Sequence, residues 1–244
     1  VSAVAQAVMN TGIPFGVIPR GTANAFATAL QIPTDSIEEA CDNILTGTTR
    51  LVDAAKCGKQ ARGTMILLAG IGWEANMVQT AQGRLKRILG KLAYIWGGVK
   101  ETAAPKYFQS RLKIDSGKQT KYVKTHSITV AVTAPGGSGS AQGTGEVIPD
   151  DGLLDVTIQT CDNSVLQSLN AMIHLLKAAV IKEPTQTDNI LHMRVKELEI
   201  VSKSKQNVVV DGELISKKKK HFHFQVLPKA LNVIAPPAQP PTTA

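Results

Sequence analysis

The chain has 244 residues, 43% of them hydrophobic and 19% charged, with a net charge of +8; this suits one large or two ordinary domains with a real core and argues against a disordered chain. The positive balance favours anionic partners (nucleotide, nucleic acid or acidic lipid) without choosing among them, and no apolar run reaches the length of a membrane span. Three scattered cysteines, Cys41, Cys57 and Cys161, form no CxxC or Cys/His cluster, which argues against zinc or a disulfide framework and fits a reducing cytoplasm.

Val1 to Met9 reads as a helix with Val1, Val4, Ala5 and Val8 on one side, ended by Gly12. "IPFGVIP" over Ile13 to Pro19 reads as a short buried strand. A helix over Ala23 to Leu30 follows, and then one over Ser36 to Leu45 with Glu38 and Glu39 in its first turn, where the helix dipole favours acids. This opening has the order of the end of an α/β domain.

The pattern changes near Thr48. "TTRLVDAAKCG" and "GTMILLAGIG" predict two hairpin strands around Lys59 to Arg62. Gly83 to Lys100 has the spacing of an amphipathic helix, as does Val165 to Lys182. Strands are expected at "YFQSRLKID", "THSITVAVTA", "LLDVTIQT", "HMRVKELEIVS", "QNVVVDGE", "HFHFQVLP" and "ALNVIAP". The tail "PPAQPPTTA" is Pro-rich. The expected fold is thus an α/β remnant over residues 1–49, then a larger mostly-β sandwich or open barrel with two helices over 50–230. Residues 231–244 form a return segment and tail.

Three stretches carry candidate chemistry, each with a plainer reading beside it. In "GVIPRGTANAFATAL" a strand feeds Gly21 and Thr22 and then a helix, which offers free backbone N–H groups and a dipole to an anion. Arg20, Thr22 and Asn24 add a cation, a hydroxyl and an amide; the alternative is a tight connector. In "IPDDGLLD", Asp150, Asp151 and Asp155 with loop carbonyls make a hard-oxygen set suited to Mg²⁺, or an Asp-Gly turn entering a strand. In "VVVDGELI", Asp211 and Glu213 stand two apart and face the same way if the chain is extended, so one could accept a proton; the alternative is an Asp-Gly hairpin. "APGGSGSAQGTG" matches neither a Walker A loop nor GxGxxG and reads as a flap or a loop. The cations Arg84, Lys86, Arg87 and Lys91, and the run Lys217 to Lys220, read as solvated faces or as contacts to an acidic membrane.

In fixed order, "GVIPRGTANAFATALQIP", "GIGWEANMV", "IPDDGLLDVTI" and "VVVDGELI…LPKALNVIAP" make the chain resemble the diacylglycerol/sphingosine-type lipid kinase family, over about residues 1–235. The resemblance implies a nucleotide domain and a β-sandwich with ATP and a lipid alcohol meeting between them. Thr22 then aligns with a nucleotide-contacting threonine, beside Arg20, Gly21 and Asn24. Asp151 and the carbonyls of Ile148 and Leu153 align with a Mg²⁺ site. Glu213 aligns with the proton acceptor, with Asp211 beside it.

The family's Gly-Gly-Asp-Gly-Thr loop, expected just before the first helix, is absent, so the sequence is expected to be a fragment that is inactive alone. Ala25 stands where the family usually has Asp, and the "GGG" loop of many relatives is replaced. The expected partners are a lipid alcohol such as diacylglycerol, an acidic membrane touched peripherally from the cytoplasm, and a second copy in a homodimer; nothing points to nucleic acid. Two alternatives stay open at this level: an NAD-kinase-like soluble nucleotide kinase, and a non-catalytic module that binds anionic membranes.

Overall fold

The computed structural model describes residues 1–21, 24–58, 63–81, 106–134, 147–160, 190–215 and 218–237. The first helix, α1, spans Ser2–Val8, and the two-residue strand β1 spans Pro14–Phe15. Helix α2 spans Ala25–Ala29 and α3 spans Ile37–Thr46. Ser36 caps α3 by accepting the Glu39 amide hydrogen at 3.2 Å, with Glu38 and Glu39 in the first turn.

Strands β2 (Thr48–Cys57) and β3 (Thr64–Met65) form the expected hairpin, with Ala55 opposite Met65. "GTMILLAGIG" is not one strand, however. It breaks at Ile66 and Leu67, whose amides turn to a side chain elsewhere, and β4 (Leu68–Gly72) joins another part of the sheet. Helix α4 (Trp73–Ala81), not expected from the sequence, follows directly. The turn into it needs Gly72: φ is +85°, and a Cβ there would stand 2.5 Å from the His126 carbonyl oxygen.

The remaining strands are β5 (Phe108–Ile114), β6 (Gln119–Ala131), β7 (Leu154–Thr160), β8 (Ile190–Val195), β9 (Glu197–Gln206), β10 (Val208–Val210), β11 (Glu213–Leu214) and β12 (Lys219–Ala235). "HMRVKELEIVS" is two strands, parted at Lys196, whereas "HFHFQVLP" and "ALNVIAP" are one. The helices expected over Gly83 to Lys100 and Val165 to Lys182, the Gly-rich stretch to residue 146, and Thr22 lie outside the described residues.

The strands form one curled sheet in the order β11-β10-β4-β6-β5-β9-β12-β2-β3, with β7 and β8 branching from β6. Two long strands make the curl by changing partners. The first half of β6 pairs with β5, and the second half pairs with β4 and β7. Thr125 bridges the irregularity between them: its hydroxyl donates to the Gln159 carbonyl at 2.5 Å and accepts the Ser127 amide hydrogen at 3.1 Å. β12 pairs with β9 from Lys219 to Gln225 and with β2 from Phe224 to Ala235, across a bulge between Leu227 and Leu231, and meets β1 in parallel at Asn232 and Val233. The curl encloses a core that includes Ile71, Leu112, Ile128, Leu154, Ile158, Leu198 and Phe224. A second cluster joins Ala5, Phe15, Phe26 and Leu30 to Val52, Leu231 and Val233.

Candidate active site

Asp211 and Gly212 form the two-residue turn of the β10–β11 hairpin, with φ of +48° and +83° and Val210 opposite Glu213. The two acids therefore do not share one extended face, as their spacing alone suggests, because the chain reverses between them. The Asp211 amide donates to the Leu68 carbonyl at 2.9 Å. Its carboxylate accepts the amide hydrogens of Ile66 at 3.0 Å and Leu67 at 2.9 Å, and the Ser2 hydroxyl at 3.3 Å. Burial raises its pKa, against the pull of the Ile66 and Leu67 amides. Asp211 is thus a saturated acceptor that ties the β3–β4 link and the start of α1 to the hairpin. Glu213 is exposed, and among the described residues no hydrogen bond or ion pair holds its carboxylate.

In the opening turn Asn24 adopts a left-handed conformation, φ +48°, at the start of α2. Its side-chain oxygen accepts the Gly21 amide hydrogen at 2.7 Å, so that N–H is engaged within the turn rather than free for an anion. Arg20 and Gly21 are exposed. Among the described residues no hydrogen bond joins Arg20, Gly21 or Asn24 to the Asp211 hairpin.

The acidic loop is held by residues that the sequence reading passed over. Arg50 on β2 binds Asp150, with Nη2 at 3.2 Å. Asp53, fully buried on β2, accepts the Gly152 amide hydrogen at 2.6 Å and the Lys229 amide hydrogen at 2.7 Å, and its own amide donates to the Pro149 carbonyl. Arg194 on β8 pairs with Asp151, and its Nε lies 3.4 Å from Asp155. An acid inside the apolar run "LVDAA" was the available signal for Asp53, since a buried carboxylate must find partners.

In the acidic loop as arranged, both Asp151 carboxylate oxygens are engaged. One Asp151 oxygen faces Arg194 and the other accepts the Leu153 amide hydrogen at 2.9 Å. Among the described residues no group of three His, Cys, Asp or Glu side chains converges, so an ion at this loop would depend on the Ile148 and Leu153 carbonyls besides Asp151. Asp155 is buried, which pushes its pKa up to about 6, and lies 3.3 Å from His192, whose own pKa burial lowers. Glu74, in the first turn of α4, is also buried. Its carboxyl accepts the Thr129 hydroxyl at 2.5 Å, occupies the space that Gly70 leaves open, and is pushed up to about 7 by burial.

Residues 1–57 match the diacylglycerol kinase catalytic domain, and residues 68–235 match the YegS C-terminal NAD kinase beta sandwich-like domain. An uncharacterized protein of Synechocystis sp. is 42% identical over 236 residues, which are 97% of this chain and 52% of that protein. The diacylglycerol kinase of Bacillus subtilis is 27% identical over 202 residues, covering 81% of this chain and 62% of its own length. The crystal structure of a diacylglycerol kinase from Bacillus anthracis shares the fold, with a TM-score of 0.61 at 17% identity over 92% of this chain and 67% of that one. The chain thus spans about half the length of the Synechocystis relative. With a matched domain covering most of its β-sheet and the catalytic-domain match at its start, the chain belongs to the family of YegS-like and diacylglycerol-kinase-like lipid kinases.

Proposed function

We propose that the protein to which this chain belongs transfers the γ-phosphate of ATP to the hydroxyl of a lipid alcohol such as diacylglycerol. The observation that carries the proposal is the 3.3 Å contact between Ser2 and Asp211. It brings the first turn of α1, which in the family resemblance directly follows the nucleotide loop, beside the hairpin that presents Glu213. Residues 1–49 are read as the end of the nucleotide domain and 50–230 as the lipid-substrate domain, with 231–244 as return segment and tail.

Phosphoryl transfer asks a protein mainly for positioning and charge neutralisation. In this reading Glu213 takes the proton of the lipid hydroxyl while that oxygen bonds to the γ-phosphorus. The γ-phosphorus–oxygen bond to ADP breaks, with ADP as the leaving group. Asp211 is a positioning residue: it fixes the hairpin and holds α1 against it. Arg20, Gly21, Thr22 and Asn24 are assigned to the phosphates, which must compete with Asn24 for the Gly21 amide. Magnesium enters with the nucleotide; Asp151 with the Ile148 and Leu153 carbonyls is the assigned holder of a further ion, for which Asp151 would have to leave Arg194. In this reading the protein works from the cytoplasm at a membrane surface, and sedimentation of the intact protein reads the expected homodimer.

The test is Glu213→Gln in the intact protein, assayed with ATP and diacylglycerol in mixed micelles. Loss of a general base lowers the rate by about 100-fold or more. An unchanged rate removes Glu213 from the role, and turnover of NAD without lipid removes the lipid alcohol as substrate.

A further inference from the structure

Arg194 stands between two carboxylates. It lies on β8 directly opposite Asp155 of β7, and its guanidinium pairs with Asp151 in the loop before that strand. Its Nε stays 3.4 Å from one Asp155 oxygen, Oδ1. The other Asp155 oxygen, Oδ2, is buried and has no hydrogen-bond partner among the described residues. An orphaned oxygen on a carboxylate that is only 3% exposed is costly, and it marks a place where a donor is wanted. His192 does not fill it, because its Nε2 faces Oδ1 at 3.3 Å.

The other acids of the loop are spoken for. Asp150 is held by Arg50 at 3.2 Å, and Asp53 accepts the Gly152 and Lys229 amide hydrogens. Asp151 holds the Leu153 amide hydrogen on one oxygen and Arg194 on the other. The Arg194 side chain is 37% exposed and that of Asp151 19%, so the pair meets solvent and the guanidinium has room to turn. One cation therefore has two seats: Asp151, which it fills, and Asp155, which it only touches. A guanidinium has five N–H donors on a long stem, enough to serve either carboxylate.

We propose that Arg194 is a latch on the acidic loop: it occupies the Asp151 oxygen that a divalent cation needs, and it turns to Asp155 when such an ion is taken up. The proposal rests on the assignment of an ion to Asp151 and the Ile148 and Leu153 carbonyls made above, and adds the residue that controls it. Two cations on one carboxylate oxygen repel each other strongly, so ion and guanidinium are alternative occupants. Because Asp155 receives the displaced guanidinium, the exchange strands no charge in the sheet. Arg194 is a positioning residue: it touches no substrate and sets how readily the loop is loaded.

The test is titration of the intact protein with Mg²⁺ alone, without nucleotide or lipid, by isothermal calorimetry, repeated with Mn²⁺ by electron paramagnetic resonance. Arg194→Gln removes the competitor and tightens binding by about tenfold, whereas Arg194→Lys keeps the charge and stays near the parent. Adding Asp151→Asn to Arg194→Gln abolishes the gain, which locates the ion at Asp151. Mg²⁺ correspondingly raises the denaturation midpoint of Arg194→Gln more than that of the parent. Loss of packing at Arg194 by itself predicts no tightening, and Arg194→Ser gives the same direction should Arg194→Gln not fold. Binding by R194Q equal to or weaker than the parent's overturns the latch. So does the absence of ion binding in both proteins, or a gain that survives Asp151→Asn. The readout uses neither ATP nor lipid, so failure of the Glu213 role and failure of the latch are seen separately.

Discussion

Asp211 and Glu213 are the same kind of residue two positions apart, yet they have different work. Asp211 spends both carboxylate oxygens on backbone amides of the β3–β4 link, whereas the Glu213 carboxylate is free among the described residues. Asp211→Ala strands the Ile66 and Leu67 N–H groups and places alanine at φ +48°; we expect a loss of about 2–3 kcal/mol in urea denaturation. Glu213→Gln should leave the midpoint within about 0.5 kcal/mol of the parent, the usual range for an exposed substitution. The hairpin itself was legible from Asp-Gly after a Val run. The division of labour was not, because the amides that saturate Asp211 come from residues about 145 positions away.

Among the elements, β12 and β6 decide the shape. Each is long because its two halves serve different neighbours, and the change of partner needs a fastening at the bend. For β12 the fastening is Asp53, which holds the bulge at Lys229, φ +52°, and the Gly152 turn from one carboxylate. Asp53→Ala removes both acceptors from part-buried amides. The expected cost is about 2–4 kcal/mol by chemical denaturation, with faster proteolysis between β6 and β7. Asp53→Asn keeps one acceptor and loses less. β5 could be read from its alternating burial, Phe108, Ser110, Leu112 and Ile114 inward. The breaks at Ile66 and at Lys196 could not, because apolar runs such as "MILLAGI" carry no mark of where one partner strand gives way to another.

The molecule as a whole has a pH dependence set largely by its buried acids. Glu74 is raised from an ordinary 4.5 to about 7, so between those values the folded form keeps a proton that the unfolded form has lost. Stability from this group is fully present below about pH 4.5 and is lost as pH rises through 7. Asp155, raised to about 6, acts in the same direction; Glu197, lowered by Ser116 and His223, acts in the opposite one. Glu74→Gln should therefore match the parent near pH 4 and exceed it at pH 8 by something on the order of 3 kcal/mol, read from denaturation midpoints across pH.

By itself the sequence determined the mostly-β character of the larger part of the chain, the order of most strands, the Asp-Gly hairpin and, through four motifs in fixed order, the family. These are local: periodicity, turn chemistry and spacing are written in neighbouring residues. Only the tertiary structure decided that Asp211 holds α1 rather than sharing a face with Glu213. Likewise, it alone set Asp151 against Arg194 and buried Glu74 against Thr129. Each of these depends on which strands become neighbours when the sheet curls, and that choice is made by packing between residues far apart in the chain.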